Sequence, residues 1–240
     1  MCFNTDKCKV MHIGRNNQRY EYSMGGVILS EVEEEKDVGV VIHRSLKPGR
    51  QCERAASIAL GVLKQIGRHF HFRDRHVFVQ LYKQYVRPHV EFSTPAWSPW
   101  LQADVDCIER VQQKAVNMVA GLNGKCYLEK CQELKLETLE ERRRRADLVQ
   151  AFKIIRGMDQ VAPETLFRFR TNSARTRQAD DPLHLQKERI RLDLRKYSYT
   201  QRIVDDWNRI SAEDKMGSLA KFKKAAGNLM ETGVVADGRN

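Results

Sequence analysis

The sequence predicts an α+β fold that is predominantly α, and three observations lead to this prediction. The first 45 residues contain short β-branched and aromatic runs separated by glycine, a pattern typical of antiparallel strands. From Pro48 onward, apolar residues recur every three or four positions, as on one face of a helix. The last third is rich in Arg and Lys. We therefore expect a small antiparallel β-sheet at 1–45, a helical domain at 46–160 and a basic C-terminal extension at 161–240.

The predicted strands are apolar runs that end at turn residues. One run from Val10 to Ile13 stops at Gly14, and another from Val27 to Leu29 follows a Gly-Gly pair. A third run, from Val38 to Ile42, follows three glutamates. Short strands with one apolar face are marginal alone. We therefore expect this sheet to need a covering element, and to expose apolar groups where the cover is missing.

The predicted helices are four amphipathic segments, and the simplest interpretation of each apolar stripe is core packing. The stripes are Ala55, Ala59, Val62, Ile66 and Phe70; Val77, Leu81 and Tyr85; Val105, Ile108, Val111, Ala115 and Met118; and Ala146, Val149, Phe152 and Ile155. Asp74 and Thr138 are predicted N-caps, the latter in a capping box with Glu141. Pro88 is expected to end the second helix, and Gly157 the fourth.

The region after Pro163 differs in composition. Residues 168–187 combine cations with small polar residues, which favours a basic loop. Apolar and basic residues then alternate from Arg189 to Arg195, which suits a short strand with one basic face. Helical spacing returns at Tyr199, Ile203, Trp207 and Ile210, and again at Leu219, Phe222, Ala226 and Leu229.

A formal net charge of +11 favours an acidic partner, most often nucleic acid. The stretch from Arg168 to Arg202 contains about ten Lys and Arg against four Asp and Glu, with tyrosines nearby, which supply charge and stacking surface. It can be a nucleic-acid interface or a solvated basic surface. The candidate nucleic-acid-binding residues are Arg168, Arg170, Arg175, Arg177, Lys187, Arg189, Arg191, Arg195, Lys196 and Arg202.

The run Arg142–Arg145 is a weaker candidate. Successive helical residues turn by about 100°, so four in a row spread around the helix instead of forming one patch. We expect Arg142 and Arg143 to flank the apolar stripe and Arg144 and Arg145 to form a solvated, ion-paired face.

No catalytic residue, metal site or cofactor is predicted from the residues. The Asp180–Asp181 pair lacks the apolar flanking strands that a two-metal turn needs, and Asp205–Asp206 is expected on a solvated helical face. The six cysteines lack the spacing of a zinc site and are expected to be reduced thiols. No apolar run approaches the roughly 20 residues of a membrane span, and no signal-peptide core is present, so we expect an intracellular chain, nuclear or cytoplasmic.

Several ordered motifs resemble the reverse transcriptase of non-LTR (LINE) retrotransposons, especially the chicken-repeat and jockey-like lineages. The motifs span most of the chain. They are Phe3 to Gly14 (FNTDKCKVMHIG), Glu35 to Val40 (EKDVGV), Leu81 to Lys83 (LYK), Val86 to Glu91 (VRPHVE), Ala96 to Pro99 (AWSP), Leu139 to Arg143 (LEERR) and Asp206 to Asn208 (DWN).

The resemblance implies a palm remnant in 1–45, a thumb-like helical domain and a C-terminal extension. The family's segment containing Asn4 and Lys7 follows the catalytic palm, and the carboxylates that bind Mg²⁺ lie upstream of it. We therefore expect a fragment of an RNA-directed DNA polymerase that is inactive and retains binding to RNA or an RNA/DNA duplex. Self-association through the exposed palm strands is a further expectation. The alternative is a non-enzymatic α-helical protein-interaction module with a basic surface.

Overall fold

A computed structural model describes residues 3–14, 16–70, 74–170 and 181–233, with side chains described to residue 230. The chain forms two compact units. Unit 1 comprises Met1–Ser93 and Pro99–Asn123, and unit 2 comprises Thr94–Ser98 and Gly124–Asn240. This division groups the residues differently from the three predicted regions, because the N-terminal strands belong to the same unit as the helices up to residue 123.

The predicted fold class is confirmed, since the structure is mostly helical with small antiparallel sheets. The strands of unit 1 are β1 (Lys9–Val10), β2 (Ser23–Met24), β3 (Val27–Ile28), β4 (Ser30–Glu31), β5 (Glu34–Asp37) and β6 (Val40–His43). They form separate two-stranded sheets in the described part of the chain. β2–β3 and β5–β6 are antiparallel hairpins, whereas β1–β4 is a parallel pairing that the sequence did not predict.

Turn chemistry explains the β2–β3 hairpin. Its two turn residues, Gly25 and Gly26, have φ values of +59° and +81°, which residues with a Cβ adopt only with strain. The pairing places Met24 opposite Val27, and the amide of Leu29 donates to the carbonyl of Tyr22. Because partners across a ladder share a face, the hairpin carries its apolar residues mainly on one side.

The helices of unit 1 pack around α1. They are α1 (Gly49–His69), α2 (Arg75–Leu81), α3 (Arg87–Glu91) and α5 (Gln102–Asn117), with a π-helical turn (Tyr82–Val86) between α2 and α3. The α1 stripe is buried at Ala55, Ala59 and Ile66, and α5 buries Ile108, Val111 and Ala115 as predicted. β6 packs on α1, so the helix covers part of the N-terminal strands.

The segment predicted as the second helix, which the structure divides into α2, the π-helical turn and α3, buries a different stripe from the predicted one. The buried residues are Phe78, Tyr82, Val86 and Val90, while Val77 and Tyr85 are 48% and 55% exposed. Both stripes are apolar, so hydrophobic spacing alone does not choose between them. The tertiary partner does, because the Tyr82 hydroxyl donates to the Gln112 side chain of α5 at 2.7 Å. The N-cap prediction is confirmed, since the Asp74 side chain accepts from the amides of residues 76 and 77.

Pro88 does not end the helical path, contrary to the prediction. The π-helical turn closes at Val86 and α3 begins at Arg87, so Pro88 lies in the first turn of a new helix. A proline there needs no amide hydrogen because first-turn amides have no intrahelical acceptor.

The helices of unit 2 pack around α7. They are α4 (Thr94–Trp97), α6 (Tyr127–Glu133), α7 (Leu139–Ile155), α8 (Pro163–Leu166), α9 (Asp193–Lys196), α10 (Tyr199–Arg202), α11 (Val204–Arg209), α12 (Ala212–Met216) and α13 (Leu219–Gly233). Phe152 of α7 stacks on Phe222 of α13 with ring centroids 4.4 Å apart, and Trp207 is fully buried beside them. The predicted capping box of Thr138 and Glu141 is confirmed.

The apolar stripe of α7 is interrupted by charge. Ala146, a predicted core residue, is exposed, whereas Arg143 and Asp147 are buried. The Arg202 guanidinium explains the burial of Asp147, since its Nε and Nη2 atoms donate to the two carboxylate oxygens at 2.8 and 3.0 Å. It also donates to the Pro95 and Tyr197 carbonyls. Burial raises the pKa of Asp147, and the Arg202 charge opposes that rise.

Replacing Arg202 with Met is expected to lower the free energy of unfolding by about 3 kcal/mol, because Asp147, whose side chain is 4% exposed, would lose its partner. Thermal or denaturant unfolding measures the change. Arg189→Met, at an exposed position, is the control and should change it by less than about 0.5 kcal/mol. Equal losses in the two variants would contradict this role for Arg202.

Candidate nucleic-acid interface

The candidate interface begins at residues 181–185, which are bound by side chains of α11 and α12. The Trp207 indole Nε1 donates to the Leu183 carbonyl at 2.8 Å. The Asn208 side chain pairs with both backbone groups of Leu185, accepting from its amide at 3.0 Å and donating to its carbonyl at 2.9 Å. These bonds occupy the segment's main chain, and so they fix its path.

Lys215 adds a buried charge to this attachment. Its side chain is fully buried, its ammonium group contacts Asp181 Oδ2 at 2.5 Å, and it lies 5.5 Å from the centre of the Trp207 ring. Burial lowers the pKa of Lys215, and Asp181 opposes that shift. The other oxygen of Asp181 accepts from the Leu183 amide. Asp181 is therefore engaged at both oxygens.

The region predicted as a basic loop is partly paired backbone. Residues 168–170 lie antiparallel to 184–186, through a bridge between Phe169 and Leu185. The Arg170 amide donates to the His184 carbonyl, and the Gln186 amide donates to the Arg168 carbonyl. The described ends of the predicted loop are thus joined and attached to α11.

The predicted strand at 190–194 is wrong. Residues 186–192 have no regular secondary structure, and α9 begins at Asp193. Leu192 is 71% exposed and Leu194 is 40% exposed, so these apolar side chains of the predicted strand do not pack in a core. A strand needs a neighbour to pair with, and the structure gives residues 189–192 none within its described ranges. The three arginines therefore do not share a strand face.

We call residues 187–196 the arginine segment. Arg189 and Arg191 are exposed, and neither forms an ion pair with another described residue. Arg168 and Arg195 both contact Glu188, at 3.0 and 3.4 Å, so one carboxylate is shared by two guanidiniums. These four arginines outnumber Glu188 and the nearby Asp193, which leaves a local excess of positive charge.

Two lysines complete the segment. Lys187 forms an ion pair with Asp205. Asp205 is exposed, as expected for a solvated helical face. The Lys196 ammonium lies 5.2 Å from the centre of the Tyr197 ring, a cation–π distance. The basic and aromatic groups predicted to act together are thus adjacent at this end of the segment.

Other predicted positions have structural contacts. Arg202 serves the core as described above and is not part of the exposed surface. Asp206 is 9% exposed, contrary to the expected solvated face, because Arg144 binds both its oxygens at 2.9 and 3.0 Å. Arg145 contacts Glu137 at 2.7 Å. The ion pairing predicted for Arg144 and Arg145 is therefore present, but Arg144 is a core-edge residue and not a fully solvated one.

The remaining predicted site residues are distant in sequence or not described. Asn4 caps the 3₁₀ turn Thr5–Lys7 by accepting from the Asp6 amide, and Lys7 is exposed at its end. Arg170 is exposed beside the paired backbone. Arg175, Arg177 and Asp180 lie outside the described residues.

Residues that the composition did not single out hold the interface together. Trp207 and Asn208 belong to the Asp-Trp-Asn motif of the resemblance, so that motif was the available signal. Lys215 had no signal, because a lysine on a short amphipathic helix is usually exposed.

The described residues contain neither a metal-binding cluster nor a membrane-spanning helix. Within them, no group of three or more His, Cys, Asp and Glu side chains is arranged to hold a metal ion. In the same residues, no helix has the length and apolar character needed to cross a membrane.

No protein-family model, curated protein or solved structure matches the chain. The motifs given above therefore carry the resemblance to non-LTR reverse transcriptases by themselves.

His184 should make unit 2 sensitive to acid. Burial lowers the pKa of His184, and the Lys215 charge lowers it further. Because the unfolded chain then binds the proton more readily, this stabilising contribution is present above about pH 6.5 and is lost as pH falls below it. Unfolding curves between pH 7.5 and 5 should show a smaller loss for His184→Gln than for the original chain. His89→Gln, at an exposed position of unit 1, is the control, and a matching effect there would contradict the assignment.

Proposed function

We propose that this chain derives from a non-LTR retrotransposon reverse transcriptase and binds RNA, or an RNA/DNA duplex, through the arginine segment. It does so inside the cell, in the nucleus or cytoplasm, and it does not itself polymerise DNA. The observation that carries the proposal is the exposure of Arg189 and Arg191 on a segment whose backbone neighbours are fixed by Trp207 and Asn208.

The chemistry of the segment suits a phosphate backbone. Phosphate binding releases condensed counterions, and each contact adds affinity that falls as salt rises. Guanidinium groups without a carboxylate partner lose no internal ion pair when they bind phosphate, whereas Arg144 and Arg202 would have to break bidentate pairs. Leu192, at 71% exposure, and Tyr197 offer apolar and aromatic surface for unstacked bases. A single strand is therefore the form that the segment fits best.

The environment of Asp181 supports the absence of polymerase chemistry. A catalytic Mg²⁺ needs carboxylate oxygens that are free to bind it. The Lys215 ammonium and the Leu183 amide use both oxygens of Asp181. The Asp180–Asp181 pair is thus a poor substitute for the family's metal-binding aspartates.

Changing Arg189 and Arg191 to Gln should reduce the salt dependence of RNA binding. Each phosphate contact on a single strand contributes about 0.7 to the slope of log affinity against log salt, so the double variant should lose up to about 1.4. Fluorescence anisotropy with labelled single-stranded RNA at several salt concentrations measures this slope.

The matched control is Arg54→Gln with Arg110→Gln, which removes the same charge from exposed helical positions of unit 1. An equal change of slope in both double variants would mean that net charge, and not the arginine segment, governs binding. RNA binding that barely responds to salt would favour the protein-interaction alternative. Primer extension with Mg²⁺ and dNTPs by the purified chain would overturn the non-polymerase assignment.

A second candidate function, self-association, is favoured by the β2–β3 hairpin. Its apolar face carries Tyr20, Tyr22, Met24 and Val27, which are 64%, 53%, 37% and 49% exposed. Among the described residues, Tyr22 has a ring contact with His12, at 6.2 Å between centroids. Exposed apolar strands of this kind pair or pack with other chains. We propose that this face mediates self-association.

The double variant Met24→Lys, Val27→Lys should abolish self-association. The two residues face each other across the hairpin, so the variant would place two positive charges in the contact. Light scattering across a concentration series measures the mass. The control is Ser23→Lys, Ile28→Lys, because these residues face each other on the other side of the hairpin. It adds the same charge and should leave self-association intact. A monomeric original chain, or equal disruption by both double variants, would rule this face out.

A further inference from the structure

A second cation-bearing site lies in unit 2, in a groove between α13 and the turn that leads into α12. The groove is shallow and open to solvent, with a volume of about 530 Å³. Ile210 forms part of its floor and is 6% exposed. Ala225 and Leu229, one helical turn apart on α13, complete the floor and pack against the core of the unit. The floor is thus a small apolar surface supported from below.

The cations at the edge of the groove differ in how far they are already neutralised. Lys221 contacts Glu213 at 2.5 Å and Asp214 at 3.6 Å. Arg209 has a 61% exposed side chain and a single long contact of 3.6 Å to Asp206. Asp206 is already bound by Arg144 through both oxygens, so it neutralises Arg209 only weakly.

Lys224 is the most available cation of the groove. Lys224 is exposed, and it forms no ion pair with another described residue. Lys224 and Arg209 thus place two available positive charges beside the floor. A dianionic phosphate is the group that two such cations bind best.

The shape of the floor decides between a peptide and a small molecule. An amphipathic helix needs anchors over at least two turns, at spacings such as i, i+4 and i+7. The floor offers one turn of α13, from Ala225 to Leu229, plus Ile210. A planar base needs apolar contact over no more than one such turn, which these residues provide. The Ser211 and Asp214 side chains line the same groove, but the Ser211 hydroxyl donates to the Asp214 carboxylate at 2.7 Å.

We propose that this groove binds a nucleoside phosphate, with the base on Ile210, Ala225 and Leu229 and the phosphate on Lys224 and Arg209. The site is separate from the arginine segment, and it does not depend on RNA binding there. The ligand is either a free mononucleotide or the phosphorylated end of a nucleic acid, since both present the same base and phosphate monoester.

The test is isothermal titration calorimetry of the full chain with AMP. Lys224→Gln should weaken AMP binding about tenfold, as expected for loss of one charged contact to phosphate. Lys223→Gln is the matched control, because Lys223 is exposed on α13 but does not line the groove, and it should change affinity less than about twofold. Adenosine and inorganic phosphate should each bind at least about tenfold more weakly than AMP, since each lacks one half of the contacts.

No AMP binding, equal losses in the two lysine variants, or phosphate binding as tight as AMP would each overturn the proposal. The two ligand sources are separated in the Arg189→Gln, Arg191→Gln background, where the arginine segment contributes little. A preference there for a 5′-phosphorylated over a 5′-hydroxyl oligonucleotide identifies a nucleic-acid end as the ligand. Equal binding of the two oligonucleotides identifies the free mononucleotide.

Discussion

Two bidentate Arg–Asp pairs of opposite polarity attach α7 to the α10–α11 segment, and the architecture of unit 2 depends on them. Arg144 on α7 binds Asp206 on α11, while Asp147 on α7 binds Arg202 on α10. The Asp147 and Asp206 side chains are only 4% and 12% exposed, so either acid without its partner would be costly. The reversed polarity fixes the register of the two segments, because a shift along α7 would bring like charges together.

This attachment positions everything that follows along the chain. With α11 fixed, Trp207 enters the core beside Phe222, and Asn208 points to the backbone of Leu185. The chain from Asp181 to Glu188 then has a defined path, to which Lys215 and Gln201 contribute further bonds. The arginine segment extends from this fixed path. A binding surface with an ordered base loses less conformational entropy when it meets a ligand.

The structure divides cations of similar sequence context into different roles. Arg202 is adjacent to the arginine segment in sequence, yet it is a core residue with four hydrogen bonds. Lys215 is fully buried, although α12 is a short charged helix. Arg189 and Arg191 remain exposed. Net charge therefore overstates the positive surface that is available to a ligand. Whether a cation can bind a ligand depends on whether it already has a carboxylate partner.

The sequence by itself determined the properties that depend on near neighbours. Helical periodicity, the Asp74 and Thr138 caps and the Gly25-Gly26 turn are set by residues within one or two turns, so the predominantly helical fold class and these ends were predictable. Only the tertiary structure decided which apolar stripe of the segment from α2 to α3 is buried, that residues 190–194 form no strand, and that Arg144, Arg202 and Lys215 pair with Asp206, Asp147 and Asp181. The side-chain partners lie 30 to 62 residues away, such as Gln112 for Tyr82 and Asp206 for Arg144. Local spacing contains no information about such partners, because burial of a charge becomes favourable only when the fold brings its counterion within contact distance.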